Sequence, residues 1–324
     1  MMNPLRFVLK FKYLADSLRL KFKVKGEICM ANELLIYIDG KYYPKSEAKV
    51  SVYDHGLLYG DGVFEGIRAY NGIVFKLKEH IDRLYKSAHP IFLKIPLTKA
   101  ELTEAVLETL RKNNLKDAYI RLVVTRGVGD LGLDPRKCPK ATTIIITEPT
   151  LQLHSPEKLE TGISTVISWV RRNSVDSATH EMKSLNYLNS ILGKIEANNT
   201  GADEALCLDK TGYVCEGVGE NIFIVRDGKL LTPPLSSGAL DGITRTLIIR
   251  LAKKMGIEVT ERDLTPNELF TADEAFFTGT AAEVAPIREV NGRVIGTGKS
   301  GPVTKRIMME FKKARQDPAE GTPI

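Results

Sequence analysis

The chain has 324 residues, 43% hydrophobic and 27% charged, an ordinary balance for a globular protein with room for two cores. Its net charge of +6 is concentrated at the start: residues 1–29 carry Arg6, Lys10, Lys12, Arg19, Lys21, Lys23 and Lys25 against Asp16 and Glu27, and the remainder holds 39 basic and 38 acidic side chains. A near-neutral body argues against a nucleic-acid surface, no apolar run is long enough to cross a bilayer, and neither the cysteines (Cys29, Cys138, Cys207, Cys215) nor the scattered histidines show metal or disulfide-framework spacing, so a reducing cytoplasm is the expected compartment.

Residues 1–33 read as a basic, partly apolar extension. It lacks a continuous apolar core with a small-residue cleavage site, which argues against a secretory signal. The first orderly strand, over 34–40, begins just after Met30, so Met30 is the expected natural start and 1–33 is expected to be disordered or foreign. A strand over 63–70 turns at Tyr70-Asn71-Gly72 into a second over 73–77. Helices are expected over 78–93 and 98–112, the latter with Thr98 as N-cap, Glu101 three residues on, and Leu102, Ala105, Val106 and Leu110 on one face. Strands over 118–125 and 142–147 follow. The polar stretch 148–161 reads as a linker. The pattern then restarts with a strand over 162–169, a helix over 186–198, strands over 204–208 and 222–225, a helix over 244–255 ending at Gly256, strands over 257–261 and 274–278, strands flanking Asn291-Gly292, and a helix over 302–314. Hairpins outnumber βαβ spacings, so the chain is a mixed α/β and α+β protein rather than a doubly wound one. The expected organisation is a domain over 34–148, a linker over 149–161, a larger domain over 162–318 and a tail over 319–324.

Four residue sets fit the needs of pyridoxal phosphate: an amine for the aldehyde, a partner for the ring nitrogen, a phosphate cradle and a grip on a carboxylate. Lys183, just before the 186–198 helix, is the candidate amine and later proton carrier. Tyr187 could reach the cofactor hydroxyl, or simply pack in the core. Glu216, between apolar residues and glycines, must be paired if buried; a ring nitrogen or a structural cation would serve equally. Leu240-Asp241-Gly242-Ile243-Thr244-Arg245 is a glycine turn opening a helix, a ready anion site. Arg68 sits in a strand between apolar neighbours and needs a buried anion. Thr278-Gly279-Thr280-Ala281-Ala282 would let backbone amides approach a carboxylate, or is an ordinary tight turn.

Taken in order, the run Asp54 to Arg68, the triplet Tyr119-Ile120-Arg121, and the segments 183–189, 216–223, 242–245 and 279–283 resemble the class IV pyridoxal phosphate aminotransferases, and among them the branched-chain amino acid aminotransferases. The resemblance runs from about residue 35 to 311. It implies a two-domain fold type IV enzyme with the cofactor between a small N-terminal and a larger C-terminal domain. It implies exchange of amino groups between Leu, Ile or Val and 2-oxoglutarate by a ping-pong route, at the end of branched-chain synthesis or the start of breakdown. Lys183 would be the Schiff-base lysine and Glu216 the ring-nitrogen partner. Arg68, Ile243, Thr244 and Thr280 would hold the phosphate, Leu240 and Gly242 would also bind the cofactor, and Tyr187 would sit at the cofactor hydroxyl. The amides of Thr280 and Ala281 would take the α-carboxylate. Tyr59, Phe64, Gly66 and Tyr119 would wall the apolar pocket, and Arg121 would meet the distal carboxylate of glutamate. Leu131 and Leu133, in the loop Gly129-Asp130-Leu131-Gly132-Leu133, would reach a neighbouring subunit's pocket, so at least a homodimer is expected. D-amino acid aminotransferases and aminodeoxychorismate lyases share the cofactor motifs, but the segments around Arg68 and Arg121 fit the branched-chain pattern. Departures are the linker's lack of aromatic residues, Met182 before the lysine, and Tyr187 four rather than five positions after it.

Overall fold

The computed structural model describes residues 33–149, 153–178 and 180–324. The expected extension and the Met30 start lie outside these residues, Glu33 excepted. Strand β1 (Leu35–Ile38) turns into β2 (Lys41–Pro44). A short helix that the pattern did not announce, α1 (His55–Tyr59), is capped by Asp54, whose carboxylate accepts from Gly56 N at 2.8 Å. Strands β3 (Gly62–Tyr70) and β4 (Ile73–Phe75) are joined through Asn71 and Gly72 at φ 50° and 82°, the left-handed pair a tight hairpin requires. Helix α2 (Leu77–Ala88) stops short of the expected 93 because Pro90 has no N–H to continue the ladder. Helix α3 (Lys99–Lys112) opens on the expected capping box: Thr98 Oγ1 accepts from Glu101 N at 3.2 Å, and the Glu101 carboxylate accepts from Thr98 N at 2.7 Å.

Strands β5 (Ala118–Thr125) and β6 (Thr142–Pro149) follow. The stretch expected as a linker is only partly irregular. β6 runs on to Pro149, and Ser155 caps α4 (Pro156–Thr161), with Pro156 where its missing N–H costs nothing. Next come β7 (Ile163–Arg171), α5 (Leu188–Thr200), β8 (Glu204–Leu208), β9 (Val214–Gly217), β10 (Asn221–Arg226), β11 (Lys229–Thr232) and α6 (Ile243–Lys254). The chain continues through β12 (Val259–Glu261), α7 (Pro266–Phe270), β13 (Glu274–Gly279), β14 (Glu283–Val290), β15 (Arg293–Val294) and α8 (Pro302–Ala314). The expected tail is instead a strand, β16 (Gly321–Pro323), paired antiparallel to β4 with Thr322 opposite Val74.

Among the described residues the strands form a seven-stranded sheet, ordered β16-β4-β3-β5-β6-β1-β2, and a nine-stranded sheet, ordered β12-β11-β10-β13-β14-β7-β8-β9 with β15 on β14. Most pairs are antiparallel; β7 runs parallel to both β8 and β14, and β11 to β12. The pleat of β3 and β5 positions the site. Val63, Ile67, Ile120 and Leu122 point to one face and bury against Ile81 and Leu84 of α2 and Leu102 and Leu110 of α3, each such side chain contributing about 1.5–3 kcal/mol. Phe64 and Gly66 of β3, with Tyr119, Arg121 and Val123 of β5, occupy the other face and line a cavity. No helix among the described residues is long and apolar enough to cross a membrane.

Candidate active site

The cavity measures about 490 Å³, room for a cofactor and a small substrate together. Lys183 lines it, carried on a strand-like segment at the start of β3. Lys183 O accepts from Phe64 N at 3.1 Å, Leu185 N donates to Gly62 O at 2.9 Å, and Lys183 N donates to Ser87 Oγ on α2 at 3.1 Å. With its backbone held from two sides, Lys183 Nζ donates to the Tyr187 hydroxyl at 3.0 Å and lies 4.6 Å from the centre of the Phe64 ring. Tyr187 is the N-cap of α5, so its spacing of four folds back onto the lysine.

At the other end, Gly242 is the N-cap of α6 and no side chain caps that helix, which leaves its first N–H groups for an anion. Leu240, Gly242, Ile243 and Thr244 line the cavity from this turn; Thr280 and Ala281 line it from the turn after β13. A smaller recess alongside is lined by Arg68, Ile243, Thr244 and Thr280. Arg68 is buried, with its guanidinium 3.8 Å from the Glu283 carboxylate. Arg121 stacks over Phe64 and Tyr119, 4.7 and 5.5 Å from their ring centres, with no acidic partner among the described residues.

Glu216 is not in the lining. It lies behind Asn221 and Leu240: its Oε1 is 3.1 Å from Arg172 Nε, and its Oε2 accepts from Leu240 N at 3.0 Å and Asn221 Nδ2 at 3.3 Å. Burial pushes its carboxyl up, against the pull of Arg172. The structural cation that the sequence left open for Glu216 is therefore present. Tyr59, Leu131 and Leu133 also lie outside the cavity of a single chain. The Tyr59 hydroxyl accepts from Gly132 N at 3.0 Å, tying α1 to the loop that carries both leucines, which are exposed. His180 is pushed down to about 3 by burial and by the neighbouring Arg172 and Lys183, so it stays neutral beside Tyr187.

Sequence reasoning missed Arg83, Arg172 and the role of Asn221. Arg83 lines the cavity from α2, and Arg172 is fully buried against Glu216. Neither sits in a distinctive local pattern; only Asn221 was inside a quoted segment.

The residues fit pyridoxal phosphate on the structure's own terms. Thr278 Oγ1 is buried in the lining without a hydrogen-bond partner. Glycine is required at the walls: a Cβ on Gly242 would run into Asn221 Oδ1, and one on Gly66 into the Tyr119 hydroxyl. The amine and the uncapped helix start face one cavity, and the buried cation Arg68 faces the recess beside it, which shares Ile243, Thr244 and Thr280 with that cavity.

Known proteins give the same picture. The pattern of the family Amino-transferase class IV matches residues 62–290. A Methanocaldococcus jannaschii protein provisionally named a branched-chain-amino-acid aminotransferase is 59% identical, over 86% of this chain and 96% of its own. The crystal structure of the Escherichia coli branched-chain amino acid aminotransferase superposes with a TM-score of 0.84 at 42% identity, covering 86% of this chain and 93% of that one. The branched-chain aminotransferase of the archaeon Thermoproteus uzoniensis, solved with norvaline, gives a TM-score of 0.83 at 43% identity over 89% and 96%. Other branched-chain amino acid aminotransferases of this fold have been solved in the pyridoxal phosphate form, with pyridoxamine 5'-phosphate and with 4-methylvaleric acid. Agreement this long, in both sequence and fold, means that the chain belongs to the class IV aminotransferases, in their branched-chain amino acid branch.

Proposed function

We propose that the protein moves the amino group between branched-chain L-amino acids (Leu, Ile, Val) and 2-oxoglutarate in two half-reactions on one site. The observation that carries this is the Lys183 amine, held at the Tyr187 hydroxyl inside a cavity that has an anion-binding turn at one end and an aromatic wall with a cation at the other. Pyridoxal phosphate is the cofactor, and when bound it supplies the aldehyde that takes up the amino group and the electron sink that makes the substrate's Cα proton removable. Arg68, the Gly242–Thr244 amides and Thr280 would hold its phosphate, and the family resemblance assigns Glu216, which lies just behind the lining, to its ring nitrogen. Lys183 Nζ would serve as the base that takes the Cα proton of the donor and holds it for return. The Tyr187 hydroxyl orients that amine. The Thr280 and Ala281 amides seat the α-carboxylate, which fixes the Cα–H bond toward Lys183.

The side-chain pocket must serve aliphatic donors and glutamate in turn. Phe64, Tyr119 and Val123 give an apolar wall, and the Arg121 guanidinium lies over two of these rings. A guanidinium stacked on rings stays satisfied when the substrate is aliphatic and still offers donors to a distal carboxylate. Each added methylene is worth about 0.8 kcal/mol, so Val, Leu and Ile should be poorly distinguished. Lys183→Ala should abolish transamination, and a donor panel with 2-oxoglutarate should rank L-Leu, L-Ile and L-Val first. Preference for D-alanine, or near-normal turnover without Lys183, refutes the reading.

We also assign a homodimer in which the loop bearing Leu131 and Leu133 covers a partner subunit's cavity. Exposed Leu57, Leu58, Val128, Leu131 and Leu133 around Tyr59 support it. Sedimentation equilibrium of the holoenzyme reads the stoichiometry, and a monomer at micromolar concentration counts against it.

A further inference from the structure

We propose that Arg83 is a positioning residue for the cofactor phosphate, holding the turn that opens α6 from the opposite side of the cavity. The inference rests on the function above and adds to it a residue that never needs to touch the reacting atoms.

Arg83 lies on α2, beneath the seven-stranded sheet. Its Nε donates to Glu65 Oε1 at 2.7 Å and its Nη2 to Glu65 Oε2 at 2.8 Å, a two-pronged pairing that fixes the plane of the guanidinium. Glu65 is fully buried, and Nδ1 of His80 lies 2.7 Å from the same Oε2. The remaining nitrogen, Nη1, donates at 2.9 Å to the carbonyl of Asp241. Asp241 immediately precedes Gly242, the N-cap of α6.

The same turn is held from its other side by the nine-stranded sheet. Glu216 Oε2 accepts from Leu240 N at 3.0 Å, and Asn221 Nδ2 donates to Leu240 O at 2.9 Å. Leu240 N and Leu240 O are thus tied to the buried Glu216 and Asn221, and Asp241 O to the largely buried Arg83. Peptide planes tied in this way cannot turn, so the N–H groups after Gly242 stay aimed into the cavity. Neutralising Glu65 alone would need only Nε and Nη2. The third bond leaves the network and crosses to the phosphate turn, and that crossing assigns the positioning role.

Two variants separate positioning from mere support. Arg83→Lys keeps a cation for Glu65 but cannot fork onto it and reach Asp241 together. The double variant Glu65→Leu/Arg83→Met removes both charges, so neither is left stranded in the interior if the lysine variant folds poorly. Purified protein is dialysed against graded pyridoxal phosphate and bound cofactor is read by absorbance, alongside the thermal midpoint of the cofactor-free form. Both variants should bind pyridoxal phosphate about ten- to a hundredfold more weakly, the loss expected for one buried hydrogen bond to a charged group. The cofactor-free midpoint of at least one should stay near that of the parent, and KM for leucine at saturating cofactor should be little changed. Cofactor affinity equal to the parent in either variant overturns the inference, as does an affinity loss matched by collapse of both cofactor-free midpoints. Failure of the parent itself to bind pyridoxal phosphate would instead sink the proposed function.

Discussion

Glu65 and Glu220 are buried carboxyl groups beside the cavity, one from each sheet, and their surroundings differ. Glu65, on the helix-facing side of β3, meets two nitrogens of Arg83 and one of His80. Glu220, between β9 and β10, receives a single backbone N–H from Gly219 at 3.1 Å. The cations near it are committed elsewhere: Arg172 pairs with Glu216 at 3.1 Å and Lys194 with Glu204 at 3.2 Å. Burial alone would raise both groups. Arg83 and His80 reverse that for Glu65 and hold it at about 2, whereas burial and the like charge of Glu204 push Glu220 up to about 8. Burial sets the cost of a charge, and the partner decides whether the charge survives. One sheet has an ionised carboxylate locked into a network; the other has an uncharged carboxyl in the cavity wall.

The contrast can be broken most sharply at Glu65. Glu65→Gln leaves Arg83 buried without its counter-ion and should cost about 3–5 kcal/mol in denaturant titrations at pH 7. Because the native carboxyl sits near 2 and the unfolded one near 4.5, the stability it contributes is present above pH 4.5 and is lost as pH falls toward 2. The deficit of the glutamine variant should therefore shrink on acidification, and a deficit unchanged at pH 3 would show that the charge is not what matters. Glu220→Gln sharpens the other side, with the opposite sign. Here the native group holds a proton that the unfolded chain releases near 4.5, so its contribution is fully present below 4.5 and is lost as pH rises toward 8. An uncharged amide escapes that loss. The variant should be more stable than the parent at pH 9 and close to equal to it at pH 4.5. Equal midpoints at pH 9 would mean that Glu220 finds a cation in the folded protein, and the two carboxyls would then be alike.

The sequence made the two networks unequally visible. Periodicity located α3 and its capping box, and α8 fell on its expected span, because local side-chain spacing decides those elements. Lys183, Arg68, Gly242 and Thr280 were legible because each sits in a short segment whose residue types suit its chemistry. Arg83 and Arg172 were not. A buried cation looks like any surface one until its partner is known, and the partners of Arg83 are Glu65 and a carbonyl 158 residues further on. The short helices α1 and α4 carried their signals in Asp54 and in Ser155-Pro156, but helices of five and six residues have too few turns to show a period. The strand at 321–323 has no pattern of its own; the open edge of β4 calls it into being.

That last strand has a consequence for how the protein is made. β4 is synthesised early, yet its partner β16 leaves the ribosome only after the whole nine-stranded sheet has been translated. Until then the N-terminal sheet exposes a row of unpaired N–H and C=O groups, the kind of edge that recruits strands from other nascent chains. Closure is sealed by Glu320, whose carbonyl accepts from Lys76 N at 2.9 Å and whose carboxylate pairs with Lys76 and Arg250, and by Ile324 N donating to Gly72 O at 2.9 Å. Translation thus completes the first sheet last, and a truncation that removed residues 320–324 would leave the protein prone to self-association while the lining of its cavity was still intact.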